Sequence, residues 1–307
     1  MITVALPTWR NREILWLPLE GLCRQVTTVP WELIVYECAS DNEAGEHYVC
    51  QYIDRLKNAG CVKIIYMYSR ERLLLSRKWK DMAAKASGKL FCLQGSDDYP
   101  HPTRNQDAWD ANADWHDCKK YYSFDINSKV LIEWDGRQKK TTPRSAWRSG
   151  FNMTIRTSLF KNLPDRDVGR GVDGYLMANL GIKTKYLDTR THSGVGTSGA
   201  NTISYNRLRF YQNITPPFYP TDRTIHTIGL PNVIAEKLQS MVIKNCNYAL
   251  GLPQPENDKK TIVLASCMMN ACQVEQQRRI YHDHYQSHTY SVIRDSKNNT
   301  NKPITTL

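Results

Sequence analysis

The chain contains no stretch approaching ~18 consecutive apolar residues, so its sequence offers no candidate for a membrane-spanning helix. Its nine cysteines include no C-x-x-C pair and are too sparse over 307 residues to form a disulfide framework. Residues 1–7 lack the charged start, long apolar core and small-residue cleavage site of a secretory signal. Free thiols and a cytoplasmic location are therefore expected. No G-x-G-x-x-G follows the first apolar run, which argues against a nicotinamide or flavin dinucleotide. No G-x-x-x-x-G-K-[ST] or G-x-S-x-G is present either, so P-loop and nucleophile-elbow chemistries are disfavoured. With 41% hydrophobic and 23% charged residues, the composition excludes wholesale disorder, collagen and coiled coil.

What the chain does have is a basic excess that is unevenly placed. The net charge is +11, yet residues 1–118 hold 14 Lys and Arg against 16 Asp and Glu. The excess begins at Lys119: residues 119–170 carry 12 basic and 5 acidic groups, and residues 171–307 carry 15 and 9. Such a local field attracts polyanions; a solvated, solubilising surface is the other reading.

Four short runs rich in Ile, Val, Leu and Tyr, at 2–7, 31–37, 61–68 and 89–95, predict strands. Between the last two, Leu75, Trp79, Met82, Ala83 and Ala86 fall on one helical face, with Arg77, Lys78 and Lys85 placed off it and Gly88 as the stop. Strand–helix–strand alternation predicts a parallel sheet covered on both faces, with ligands at the carboxyl edge of its strands. Runs at 130–134 and 151–155 suggest mixed sheet and loops, and the Pro-rich segment 215–223 suggests a linker or wrapping segment. Residues 233–250 and 261–285 read as helical.

The chemistry concentrates where Gly95-Ser96-Asp97-Asp98-Tyr99-Pro100 follows the fourth run. Two adjacent carboxylates repel one another and lose solvation unless a cation or strong donors compensate. Hard oxygen ligands suit Mg²⁺ or Mn²⁺, and such an ion suits a bound diphosphate. An Asp-rich turn closed by Pro is the alternative.

The order of motifs over the first two thirds of the chain resembles the nucleotide-sugar-dependent glycosyltransferases of the A-type (GT-A) fold, in particular their large inverting family. The family's Pro-Thr-Tyr-Asn-Arg-like start corresponds to Pro7-Thr8-Trp9-Arg10-Asn11-Arg12. Its Val-Asp-Asp-Gly-Ser-like turn corresponds to Tyr36-Glu37-Cys38-Ala39-Ser40-Asp41, and its Ala-Arg-Asn element to Ser76-Arg77-Lys78. The acidic metal motif corresponds to Ser96-Asp97-Asp98, and the Glu-Asp element that holds the base to Val172-Asp173. A downstream His before a small-residue loop corresponds to His192-Ser193-Gly194. Glu37, Cys38, Gly95 and Val172 depart from the family's residues.

The resemblance implies an α/β GT-A fold with a mostly parallel central sheet flanked by helices. It divides the chain into a transferase domain at 1–215 (donor-binding half 1–118, acceptor half 119–215) and a helical extension at 216–307. It implies a metal-dependent transfer of sugar from a nucleotide-sugar donor, with Mn²⁺ or Mg²⁺ as cofactor. Pro7, Thr8, Trp9, Arg12, Glu37, Ser40, Arg77 and Asp97 would contact the donor nucleotide. Asp98, Asp97 and His192 would hold the metal. Asp173, between two glycines, would take the acceptor proton, because a hydroxyl far from ionised at neutral pH needs a positioned base; Asp165 and Asp167 are neighbouring substitutes, and a helix N-cap is the other meaning of Asp173. Inversion is implied by the resemblance alone. The run 194–199 reads either as a lid over the diphosphate or as a flexible connector.

The basic excess begins where the acceptor half should begin, so an anionic acceptor is expected: an acidic glycan, a phospholipid carrier or nucleic acid. A phospholipid carrier would place the protein at the periphery of a membrane. A non-catalytic polyanion-binding protein on a degenerate transferase scaffold is the competing class, and a nucleotidyltransferase is a third.

Overall fold

The computed structural model describes residues 1–9, 12–38, 46–118, 120–126, 129, 131–135, 153–161, 185–187, 194–198, 218–220, 226, 228, 230–241 and 304–306. All of them lie in one compact unit, residues 1–250 with 304–307.

Four strands form the centre of the first sheet: β1 (Ile2–Trp9), β2 (Trp31–Cys38), β3 (Cys61–Ser69) and β4 (Leu90–Leu93). They pair in parallel in the order β3-β2-β1-β4. All eight residues of β2 are buried, as are all of β1 but Trp9, which is the pattern of strands covered on both faces. On one face Leu15, Leu19 and Leu22 of α1 (Arg12–Leu22) pack on Val4, Leu6, Leu33 and Val35, joined by Val49 of α2 (Glu46–Cys50) and Leu56 of α3 (Ile53–Asn58). On the other face Trp79, Met82 and Ala83 of α4 (Leu75–Lys85) pack on Ala5, Ile34, Tyr36 and Phe91. Strict alternation along each strand produces this division.

The sheet continues through β9 (Thr154–Arg156), antiparallel to β4, and then β6 (Trp115–Cys118), antiparallel to β9, with β10 (Lys185–Leu187) parallel to β6. β13 (Ile304–Thr306) closes the opposite edge antiparallel to β3. Six strands thus run one way and two the other. The mostly parallel, helix-flanked sheet expected from sequence is the one observed. The short helix α6 (Thr157–Lys161) sets Phe160 edge-on to Trp79.

A second, five-stranded sheet has the order β12-β8-β7-β11-β5. Its strands are β5 (Asp98–Pro100), β7 (Lys120–Asp125), β8 (Leu131–Asp135), β11 (Gly194–Ser198) and β12 (Phe218–Pro220). Helix α5 (Arg104–Ala111) lies between β5 and β6 in the chain. A third core joins Tyr99, Tyr122, Phe124 and Leu131 of this sheet to Ile14 and Leu17 of α1 and to Ile234, Ala235 and Leu238 of α7 (Asn232–Ser240). Helix α1 is therefore buried from two sides, one row of apolar side chains on each sheet.

The structure refines three sequence expectations. Within the Pro-rich segment, Phe218–Pro220 is a strand paired with β8. The helix expected at 233–250 ends at Ser240, because Met241 is extended. Gly194–Ser198 is a strand hydrogen-bonded to β5 on one side and β7 on the other. The helical reading of 261–285 lies outside the described residues. No helix among the described residues is long and apolar enough to cross a membrane. Cys23, Cys38, Cys50, Cys61 and Cys92 are free thiols.

Candidate donor and metal site

The carboxyl edge of the first sheet brings the separate motifs together. β1 and β2 pair in register with Pro7 opposite Tyr36, Thr8 opposite Glu37 and Trp9 opposite Cys38. β4 lies on the other side of β1, with Leu93 opposite Ala5, and the Gln94 N–H continues the ladder to the Ala5 carbonyl at 2.9 Å. The chain then turns through Gly95 and Ser96 and enters the second sheet at Asp98. The acidic pair is thus the crossing point between the two sheets.

Gly95 shows how that turn is packed. A Cβ at this position would overlap Asp98 Oδ2 and would lie 2.8 Å from Asp98 Cγ and 3.3 Å from Asp97 Oδ1. Both carboxylates therefore flank one point, and the Asp98 carboxylate folds back over the space a side chain would fill. Across the second sheet, Asp98 sits opposite Gly196.

This donor set fits a hard divalent cation: two carboxylates converge, and oxygen ligands match Mg²⁺ or Mn²⁺. Among the described residues no group of three His, Cys, Asp or Glu side chains gathers as a metal site. His192, the expected third ligand, lies outside the described residues and precedes β11 by two positions.

At the β1–β2 edge, Glu37 is buried and accepts from the Tyr66 hydroxyl. Burial first, and then this bond, push the Tyr66 phenol well above its ordinary range. Trp9 is half-buried, and the exposed Arg72 guanidinium lies 3.6 Å from its ring centroid, a cation–π stack at the mouth of the edge.

Arg77 is exposed and donates to Asp81 one helical turn on, at 3.1 Å. Its neighbour Lys78 is the residue turned inward. Lys78 is 3% exposed, and its Nζ donates to the Thr8 carbonyl at 2.6 Å. The sequence reading placed Lys78 off the apolar face, and this is corrected. Its positions relative to Leu75 and Met82 are three and four residues, so its stem joins the stripe while the ammonium finds a carbonyl. Burial pulls its pKa down, partly opposed by the neighbouring Cys38 and Glu37.

The turn itself rests on two residues that sequence reasoning missed. Arg104, 2% exposed at the start of α5, donates from Nη1 to Gln94 Oε1 and from Nη2 to the Leu93 carbonyl, each at 2.5 Å. Gln94 Nε2 then donates to the Gly95 carbonyl at 3.0 Å and to the Asp98 carbonyl at 2.8 Å. No motif marks either residue; the only sequence signal is an arginine six positions beyond an acidic pair.

Pro7, Thr8, Trp9 and Glu37 thus lie at the ends of the adjacent strands β1 and β2, and Asp97 and Asp98 follow β4, the other neighbour of β1, while the Arg77 guanidinium bonds to Asp81. Ser40 and Asp173 lie outside the described residues, as do Asp165 and Asp167, and Arg12 begins α1 with its side chain outside the description.

No protein-family model matches the chain, and no curated protein matches it. Among solved structures, it is similar to Staphylococcus aureus TarS residues 1–349 in complex with UDP, at 16% identity and a TM-score of 0.49 over 78% of this chain and 69% of that one. The same fragment with UDP-GlcNAc aligns at 13% identity and a TM-score of 0.48 over 78% and 70%. The mannosyltransferase PcManGT from Pyrobaculum calidifontis, in complex with GDP-Man and Mn²⁺, aligns at 13% identity and a TM-score of 0.48 over 97% of this chain and 86% of that one.

Proposed function

We propose that this chain is a divalent-metal-dependent glycosyltransferase that moves a sugar from a nucleotide-sugar donor to an acceptor hydroxyl with inversion. The observation that carries the reading is the pair of carboxylates converging on Gly95 beside the paired ends of β1 and β2. Residues 1–118 would form the donor half and 119–215 the acceptor half; the helical extension expected at 216–307 is corrected, because Phe218–Pro220 and Ile304–Thr306 pair as strands with the two sheets.

Asp98 and Asp97 would hold Mn²⁺ or Mg²⁺, which supplies positive charge against the departing nucleoside diphosphate. Pro7, Thr8 and Trp9 line the nucleotide side of the edge with Glu37, a buried acceptor for a base or ribose donor. Arg12, Ser40 and Arg77 complete the donor contacts, and His192 the metal set. Asp173 takes the acceptor proton as the new bond forms. The acceptor is anionic, matching the basic excess that begins at Lys119.

The test is a thermal-shift panel of UDP, GDP, UDP-GlcNAc and GDP-Man, each with and without Mn²⁺, followed by donor turnover. A bound ligand raises the melting temperature by mass action. One nucleotide should stabilise the parent more with Mn²⁺ than without it, and Asp98→Ala should abolish that Mn²⁺-dependent increment. Asp173→Asn should keep the shift and lose turnover by ~10³-fold. A parent that binds polyanions but neither shifts nor turns over any donor would favour the non-catalytic scaffold.

A further inference from the structure

We propose that Arg104 and Gln94 are positioning residues that hold the acidic turn in its cation-binding shape. The inference rests on the reading of Asp97 and Asp98 as metal ligands and names the machinery beneath them. A buried guanidinium is costly, and Arg104 aims both of its terminal nitrogens at neutral acceptors, the Gln94 side-chain oxygen and the Leu93 carbonyl.

What the arginine supplies is direction. An amide can present either its oxygen or its nitrogen. With Arg104 Nη1 donating to Oε1, the Gln94 NH₂ must face the other way, and there it meets the Gly95 and Asp98 carbonyls. These two carbonyls bracket the turn that carries both carboxylates. The Gln94 N–H is bonded to β1 and the Leu93 N–H to the Met153 carbonyl, so the base of the turn cannot slide. A chain of donors leading from a fixed cation is also polarised along its length, which strengthens each bond in it. The turn must stay fixed, because the Asp98 carboxylate occupies the space above Gly95 and would leave Asp97 if the backbone rotated.

Mn²⁺ binding to the full chain in the presence of UDP, followed by the electron paramagnetic resonance signal of free Mn²⁺, tests this. Gln94→Met keeps length and burial but removes both donors; Arg104→Lys keeps the charge but replaces the planar fork that holds two acceptors at once. Each should weaken Mn²⁺ binding at least ~10-fold, while metal-free UDP binding stays within about twofold, because the carboxylates are displaced and the nucleotide edge is not. A residue that only supports the core lowers the melting temperature and leaves the Mn²⁺ affinity of the folded protein alone. Parent-like Mn²⁺ affinity in Gln94→Met overturns the proposal, even if Arg104 variants fail to fold. If Asp98→Ala binds Mn²⁺ as the parent does, the metal reading itself fails and takes this inference with it. Loss in Asp98→Ala with retention in Gln94→Met sinks the inference alone.

Discussion

At the scale of single residues, Gly95 states the site's geometry most economically. Its missing Cβ is space already taken by the Asp98 carboxylate, which is the movable end of a short side chain. Gly95→Ala should therefore leave the fold nearly intact, because only that carboxylate must swing away. The swing moves a proposed ligand, so Mn²⁺-dependent stabilisation by nucleoside diphosphate should fall at least ~10-fold in apparent affinity while the melting temperature drops by no more than ~4 °C. Calorimetric titration of parent and variant with UDP and Mn²⁺, beside a melting curve of each, checks both numbers; parent-like affinity would show that the carboxylate need not sit over position 95. Lys78 carries a second lesson at this scale. A lysine in an apolar stripe reads as a solvated interruption, yet here its stem packs on the sheet and its ammonium reaches the Thr8 carbonyl. Spacing predicts which face a residue occupies, and the error lay in letting charge overrule spacing.

At the scale of elements, α1 is held by contacts that no helical periodicity reveals. Glu20 accepts from Arg24 in the turn that follows the helix and from Arg55 of α3 at 2.7 and 2.8 Å. The Arg55 bond is the main reason its carboxyl is lowered to about 2, against a partial penalty from burial. A carboxyl lowered in the folded state stabilises the fold above its unfolded value near 4.5, and that contribution is lost as pH falls from there toward 2. Arg55 is about half exposed, so solvent screening holds the worth of the pair to about 1 kcal/mol. Urea unfolding should show Glu20→Gln less stable than the parent by that amount at pH 7, with the gap narrowing at pH 3.5; a gap constant across this range would assign the loss to packing. Gly21, the next residue, touches the second sheet: a Cβ there would lie 2.5 Å from Pro100 Cδ and 2.8 Å from Cγ. A proline ring cannot swing aside as a carboxylate can, so Gly21→Ala should cost about 1–3 kcal/mol of unfolding free energy by overpacking. The same logic explains what was legible in the sequence. β1, β2 and β3 are eight or nine residues long and largely buried, so their apolar runs stand out unaided. β5, β11 and β12 are three to five residues long, rich in Pro and Gly, and are strands only because each has a partner. The acidic pair stands out in the sequence, but the Gln94 and Arg104 beneath it do not, since nothing in local sequence joins position 94 to position 104.

For the molecule as a whole, the proposed donor site and the uneven charge together predict two kinds of binding that differ in their sensitivity to salt. Residues 1–118, which contain the carboxylate turn and both strand ends beside it, are close to neutral, with 14 basic and 16 acidic groups. A nucleotide held there through a metal, a buried Glu37 and the Trp9 edge would depend on short-range contacts, which salt screens little. The remainder carries 27 basic groups against 14 acidic ones, and a polyanion bound to it releases counterions as each phosphate is neutralised. With a fluorescein-labelled oligothymidylate as probe, four such contacts would lower the affinity about 50-fold between 50 and 200 mM NaCl. Over the same interval the Mn²⁺-dependent affinity for UDP should change by less than about threefold. Anisotropy of the labelled strand and titration calorimetry of the nucleotide, on one preparation, measure the two slopes together. Equal slopes would mean that one electrostatic surface serves both ligands, and the division into a donor half and a basic acceptor half would fall. A flat slope for the oligonucleotide would reduce the excess charge to solubility alone, and the acceptor would then have to be sought among neutral sugars.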